Sequence, residues 1–330
     1  MRDTEKEVGD ILYSQSNAFF AFEKNETLEW STAGDRIVFP LLLEGARHTI
    51  TVNAETKEVR DLSTELNQFT ITRPRWNPAV RNSLFYRSGD KLYRLDLTAS
   101  ITEPLEPILL AEHVAAYDIS GSDVFIANTE DGLIYRFGAD ETLPELNPIT
   151  FTPLKNLDTN ATLVVYDAYR IAILSSDGTL SFFNADLDNQ PLRTLADRGI
   201  QGVQFSDDSK KLLFFSDHEV SVYFIREWEV QPKRDRDSIW QISRFADPIS
   251  MVQWTKDYEH ILYLKGSQVF VTELDNRDRR IIHELIHFDR PPLQILSRVN
   301  ANQIFFVADT GDSSELLSIN FPEFNGFFTQ

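Results

Sequence analysis

The chain has 330 residues, 32 basic against 51 acidic, a formal charge of −19 and no cysteine. An acidic surface of this kind repels nucleic acid phosphates and anionic lipid headgroups, and without Cys there is no disulfide, thiolate-bound zinc or thiol nucleophile. No run reaches the about 18 apolar residues of a membrane helix, and the opening MRDTEKEVGD is too polar for a signal peptide.

Residues 1–10 read as a flexible N-terminal segment and 11–330 as a single domain. Along it, short runs of branched aliphatic and aromatic residues recur between turn residues. They are DRIVFPLLL (35–43), NSLFYRS (82–88), DVFIAN (123–128), RIAILSS (170–176), KLLFFSD (211–217), HILYLKG (260–266) and NQIFFVAD (302–309). Runs of this length and composition predict strands buried on both faces. A tight turn and an alternating strand follow in RSGDKLYRLDL (87–97), NTEDGLIYRF (128–137), SSDGTLSFF (175–183) and SDHEVSVYFI (216–225). The Gly-Asp and Asp-Gly pairs supply the positive φ angles that hairpin turns need. The basic runs KRDRD (233–237) and NRDRR (276–280) are each broken by acids and read as solvated turns.

A second feature precedes the strands: a large apolar residue, a small polar one, a polar turn, then the hydrophobic run. It begins at Trp30, Trp76, Ile119, Phe205, Trp254 and Leu296, at spacings of 46, 43, 86, 49 and 42 residues. The double spacing hides a further unit around VVYDAYRIAILSSDGTLSFF (164–183). A period of about 40 to 50 residues with four short strands per unit marks a β-propeller. The expected fold is all-β, a seven-bladed β-propeller of four-stranded antiparallel blades at roughly 24–66, 67–112, 113–153, 154–198, 199–247, 248–289 and 290–323, with the anchors opening the blades. The last unit ends at LLSINF (316–321) without an outer strand, so ILYSQSNAFFAFE (11–23) is expected to pair there and close the ring, removing an exposed edge.

WSTAGDRIVF (30–39) and FSDDSKKLLFF (205–215) resemble the W-S-P-D-G-x-x-L-x-F repeat of TolB-type, WD-repeat-like bacterial propellers, similar to those of PEGA-domain surface proteins. Trp30-Ser31 keeps the first two letters and Pro78 the proline, while the Gly-His and Trp-Asp dipeptides of WD repeats are absent. The resemblance implies a fold rather than an activity.

His283-Glu284-Leu285-Ile286-His287 matches the H-E-x-x-H signature of zinc proteases. That chemistry needs a helix, on which positions i and i+4 share a face and the Glu activates a metal-bound water. Pro291 and Pro292 would end such a helix, no H-x-x-G-x-x-H continuation follows, and His260 is the nearest, unsupported, candidate for a third ligand. The segment falls where the sixth blade needs its outer strand, so a connector with solvent-facing histidines is the expectation. Asp207-Asp208, Asp235-Arg236-Asp237 and Asp309 with Asp312 lack the register of a calcium hand and read as turn residues. No nucleophile elbow, P-loop or dinucleotide fingerprint is present. NET (25–27) and NAT (160–162) match the glycosylation triplet, which also arises by chance.

No residue is therefore assigned a catalytic, cofactor-binding or metal-binding role. The expected function is a non-enzymatic binding or scaffold propeller that takes a protein partner through loops at one end, with no nucleic acid and no membrane insertion. The alternative is an enzyme, a propeller hydrolase or the H-E-x-x-H peptidase. The compartment stays open, with an extracytoplasmic place in a larger anchored protein ranked ahead of the cytoplasm.

Overall fold

The computed structural model describes residues 18–22, 26, 28–98, 103–187, 191–229, 232–277, 280–298, 303–309 and 314–320. These form seven successive antiparallel sheets. The first holds β1 (Phe19–Phe20), β2 (Glu29–Trp30), β3 (Arg36–Leu43), β4 (Ala46–Asn53) and β5 (Val59–Asp61), followed by the short helix α1 (Leu62–Leu66). The second holds β6 (Ile71–Trp76), β7 (Ser83–Ser88), β8 (Lys91–Asp96) and β9 (Ile108–Ala111). The third has β10 (Val114–Ser120), β11 (Asp123–Asn128), β12 (Ile134–Gly138) and β13 (Asn147–Pro148); the fourth has β14 (Thr162–Asp167), β15 (Arg170–Leu174), β16 (Leu180–Asn184) and β17 (Leu192–Ala196). The fifth is β18 (Ile200–Phe205), β19 (Lys211–Ser216), β20 (Glu219–Phe224) and β21 (Ile239–Arg244). The sixth is β22 (Ile249–Trp254), β23 (His260–Lys265), β24 (Gln268–Glu273) and β25 (Ile282–His287), and the seventh β26 (Gln294–Arg298), β27 (Gln303–Asp309) and β28 (Ser314–Asn320). This is the blade series of an all-β, seven-bladed β-propeller, at the places the repeat predicts.

Two compact units make up the chain: residues 1–176 with 181–193, and 177–180 with 194–330. In the first, alternate residues of each second strand feed opposite clusters. Leu84 and Tyr86 of β7 pack with Val38, Ile71 and Trp76, while Phe85 packs with Tyr117, Val124 and Ile126 of the third sheet. Phe125 and Ala127, on the other face of β11, join Leu163, Ile171 and Ile173 of the fourth. In the second unit Ile261 and Tyr263 of β23 join Leu213, Val222 and Phe224, whereas Leu262 and Leu264 join Ile295, Ile304 and Phe306. The continuous hydrophobic runs of β7, β11 and β23 thus have a simple cause: each of these strands has a sheet on both sides within its unit, and a period of two sends neighbouring residues to different cores.

The anchors close the first strand rather than opening the blade: Trp30, Trp76, Phe205 and Trp254 are the last residues of β2, β6, β18 and β22. Leu296 pairs with Phe305, one step out of the register in which Trp254 pairs Ile261. The small polar residue after the anchor organises the turn. The Ser31 and Ser206 hydroxyls accept from the Arg36 and Lys211 N–H groups at 3.0 Å, and Thr255 donates to the His260 carbonyl at 3.0 Å.

Ring closure by the N-terminal segment is not what the described residues do. Phe19 and Phe20 pair with Leu42 and Leu41, so β1 and β2 share one edge of β3. The run PLLL extends β3 beyond the reach of the two-residue β2, and β1 satisfies the backbone groups left over. Residues 11–17 and 321 lie outside the described residues. The blades are also not uniformly four-stranded, with five strands in the first sheet and three, among the described residues, in the seventh. Helix α1 was not anticipated. Asp61 caps it by accepting from the Thr64 N–H, and Asn67 ends it in the left-handed conformation.

Candidate interaction surface

One cluster of charged side chains in the first unit joins three blades. Arg75, the residue before its anchor, lies between Glu29 at 2.9 Å and Asp118 at 2.6 Å. Burial pushes the Glu29 carboxyl up, and the Arg75 charge recovers only part of that shift. Burial also works against the Arg75 charge, but Asp118 and Glu29 outweigh it and hold the guanidinium above its ordinary value. The Arg75 side chain keeps 40% of its surface accessible, so water screens the triad in part.

One device recurs across both units. The residue before an anchor offers a side-chain oxygen to a backbone N–H of the next blade: Glu29 to Trp76 at 3.3 Å, Asp118 to Val165 at 2.8 Å, and Gln204 to Trp254 at 3.0 Å. Where the receiving anchor is Trp, its indole N–H returns a bond to the carbonyl of Glu29 or Gln204, at 3.1 and 3.2 Å. None of these residues was singled out from sequence. The signal was present, since Glu29, Asp118 and Gln204 each precede an anchor and carry an acceptor.

In the second unit Lys211 and Arg234 both bind Glu259, at 2.5 Å each, with side chains only 3% and 1% accessible. Arg234 arrives on the long connection between β20 and β21, where Trp228 and Arg234 exchange backbone bonds. Its guanidinium lies over the rings of Phe224, Trp228 and Trp240. Burial carries the Lys211 ammonium below its ordinary value despite Glu259. Burial opposes the Glu259 charge too, but Arg234 and Lys211 more than offset it and lower that carboxyl. A cleft of about 560 Å³ in the same unit is walled by Phe214, Phe215 and Ile200, with Arg198, Asp177 and Glu219 among its polar lining.

The H-E-x-x-H segment is strand β25, with His283, Glu284 and His287 opposite Val271, Phe270 and Gln268. Extended chain rises about 3.3 Å per residue, which puts positions i and i+4 about 13 Å apart, whereas the signature needs them on one helical face. His283, Glu284 and His287 are exposed, Glu284 accepts from the Gln268 amide at 2.9 Å, and Leu285 and Ile286 pack against the sixth-to-seventh core. His260 instead bonds Asp257 at 2.7 Å.

Large apolar side chains stand in solvent on the outer strands: Ile108 and Leu109 of β9, Ile239 of β21, and Ile282 of β25 with its neighbour Ile281. The most exposed among the described residues flank β13, namely Leu143 at 90% and Phe151 at 87%.

No protein-family model and no curated protein matches the chain. Solved structures do. It is similar to the β-propeller domain of Cps50 (Swd1) from Myceliophteria thermophila, at 13% identity and a TM-score of 0.57 over 92% of this chain and 99% of that one. A chain of the mitotic checkpoint complex aligns at 11% identity and 0.58 over 97% and 99%. Hydrazine synthase from Kuenenia stuttgartiensis aligns at 7% and 0.55 over 89% and 95%. At such identities the likeness speaks to fold: a seven-bladed β-propeller with WD40-like structural neighbours.

Proposed function

We propose that the chain is a non-enzymatic scaffold that binds a protein partner through apolar side chains displayed by its blades. The carrying observation is the exposure of Ile108, Leu109, Ile239 and Ile282 on outer strands, where solvent-facing positions are ordinarily polar. Propellers similar to it support the reading, one being a component of the mitotic checkpoint complex, although hydrazine synthase is an enzyme. The charge of −19 favours a partner with basic groups over nucleic acid or an anionic membrane. The finer affinity, to TolB-type propellers of bacterial surface proteins, rests on the repeat beginning at Trp30-Ser31.

The test is purification of the tagged full-length chain from cells that naturally produce it, with quantitative mass spectrometry of what accompanies it. A partner recovered at fixed stoichiometry, and lost when Ile239 and Ile282 are both changed to Lys, is the expected result. A chain that stays monomeric throughout contradicts it.

A further inference from the structure

Phe151 and Leu143 belong to LPELNPITFTPL (143–154), which joins the third blade to the fourth. A large apolar side chain left this far in water is ordinarily part of a loose loop. This one is held. The Ile149 N–H donates to the Ile134 carbonyl at 2.9 Å, the buried Thr150 hydroxyl accepts from the Ile134 N–H at 2.9 Å, and the Leu154 N–H donates to the Gly132 carbonyl at 2.8 Å. Leu154 itself is sunk in the core shared by the third and fourth blades. Gly132 makes the fit possible: with φ at +72°, an added Cβ would lie 2.6 Å from the Leu154 carbonyl oxygen. Pro144, Pro148 and Pro153 fix three further φ angles. Phe151 is thus fastened by backbone bonds at 149 and 154 and by the Thr150 hydroxyl, while its ring stands in solvent.

We infer that this segment is a preorganised docking loop, whose occupant is a protein presenting an apolar pocket with a basic rim. An aromatic ring on a rigid loop loses little conformational freedom when buried, which is what interface anchors need. The rim chemistry follows from charge. Across 139–158 the exposed acids Asp140, Glu141, Glu145 and Asp158 outnumber the single base, Lys155, in a chain that is itself strongly acidic. The inference deepens the scaffold reading by naming the surface, and rests on it.

The experiment places the photo-cross-linker benzoylphenylalanine at position 151 of the full-length chain, in cells that naturally produce it, with Ile108 and Ile239 as comparison positions. The expected result is an adduct from position 151 to another protein, joined to an apolar peptide flanked by Lys or Arg. With that protein purified, Phe151→Ala should weaken binding about 30-fold or more, the size of an interface hot spot. Leu143→Ala should weaken it less, added salt should weaken it further, and the melting temperature should not move. An adduct only from 108 or 239 overturns the docking loop and leaves the scaffold standing. An adduct to a second copy of this chain, or to an acidic peptide, also overturns it. No adduct from any position, with a monomer on purification, overturns both.

Discussion

Gln204 serves Trp254 twice, through its side-chain oxygen and its backbone carbonyl. Gln204→Ala removes the first acceptor, and because Gln204 is exposed water can reach the freed N–H, so the cost in urea unfolding should be about 0.5–1 kcal/mol. Trp254→Ala empties a buried site as well and should cost about 3–5 kcal/mol. The pair Asp257–His260 makes a different prediction, because it titrates. Burial opposes both charges, yet their mutual hydrogen bond and attraction raise the histidine and lower the aspartate. The pair's contribution is therefore full between about pH 4 and pH 6.5, the ordinary carboxylate and imidazole values. It is lost as pH rises through the raised His260 value or falls through the lowered Asp257 value. Both side chains are partly exposed, so the effect is small: His260→Gln should remove about 0.5 kcal/mol of the stability difference between pH 6 and pH 8.

Strand β25 and the connection before β21 show what local pattern can and cannot convey. For β25 the isoleucines fit helical spacing as well as a strand, and only the repeat period placed the segment on a blade edge. Glu284→Gln and His287→Ala are expected to shift unfolding by no more than about 0.5 kcal/mol, as exposed substitutions do. The KRDRD run reads as a solvated turn, and Lys233, Asp235, Arg236 and Asp237 are indeed exposed. Arg234 is not. It is buried because Glu259, a residue of the next blade, and the rings of Phe224, Trp228 and Trp240 surround it; the rings are neighbours in sequence, but Glu259 is not. Arg234→Ala should cost about 2–3 kcal/mol, discounted from a fully buried pair because Glu259 is partly exposed. It should also open 226–237 to limited proteolysis, and Arg234→Lys should not restore the loss, since a compact ammonium cannot stack and fork as guanidinium does.

At the scale of the whole chain, the seven sheets were legible because a blade is a local object. Six of the seven contain their own anchor, polar turn and hydrophobic strand within about 45 residues, and the doubled spacing marks the other. The blade junctions were not, since Glu29 with Trp76 and Gln204 with Trp254 meet across 47 and 50 residues. The pairing of Phe19 and Phe20 with β3 was illegible for the same reason: nothing local distinguishes the edge of β3 from another open edge. The proposed interaction surface was legible only as a class, because exposure is a property of packing. The polar groups that look chemically able, Arg75 with Glu29 and Asp118 or Glu259 with Lys211, serve to hold blades together, and the apolar side chains outside are left to make contacts. Hydrogen exchange of the full-length chain, alone and in the complex recovered with it, tests that division most directly. The account predicts new protection at 143–154 and at the starts of β9, β21 and β25, with no change along β6, β10, β18 and β22. Protection centred on the Glu29–Arg75–Asp118 triad or on 283–287 contradicts it.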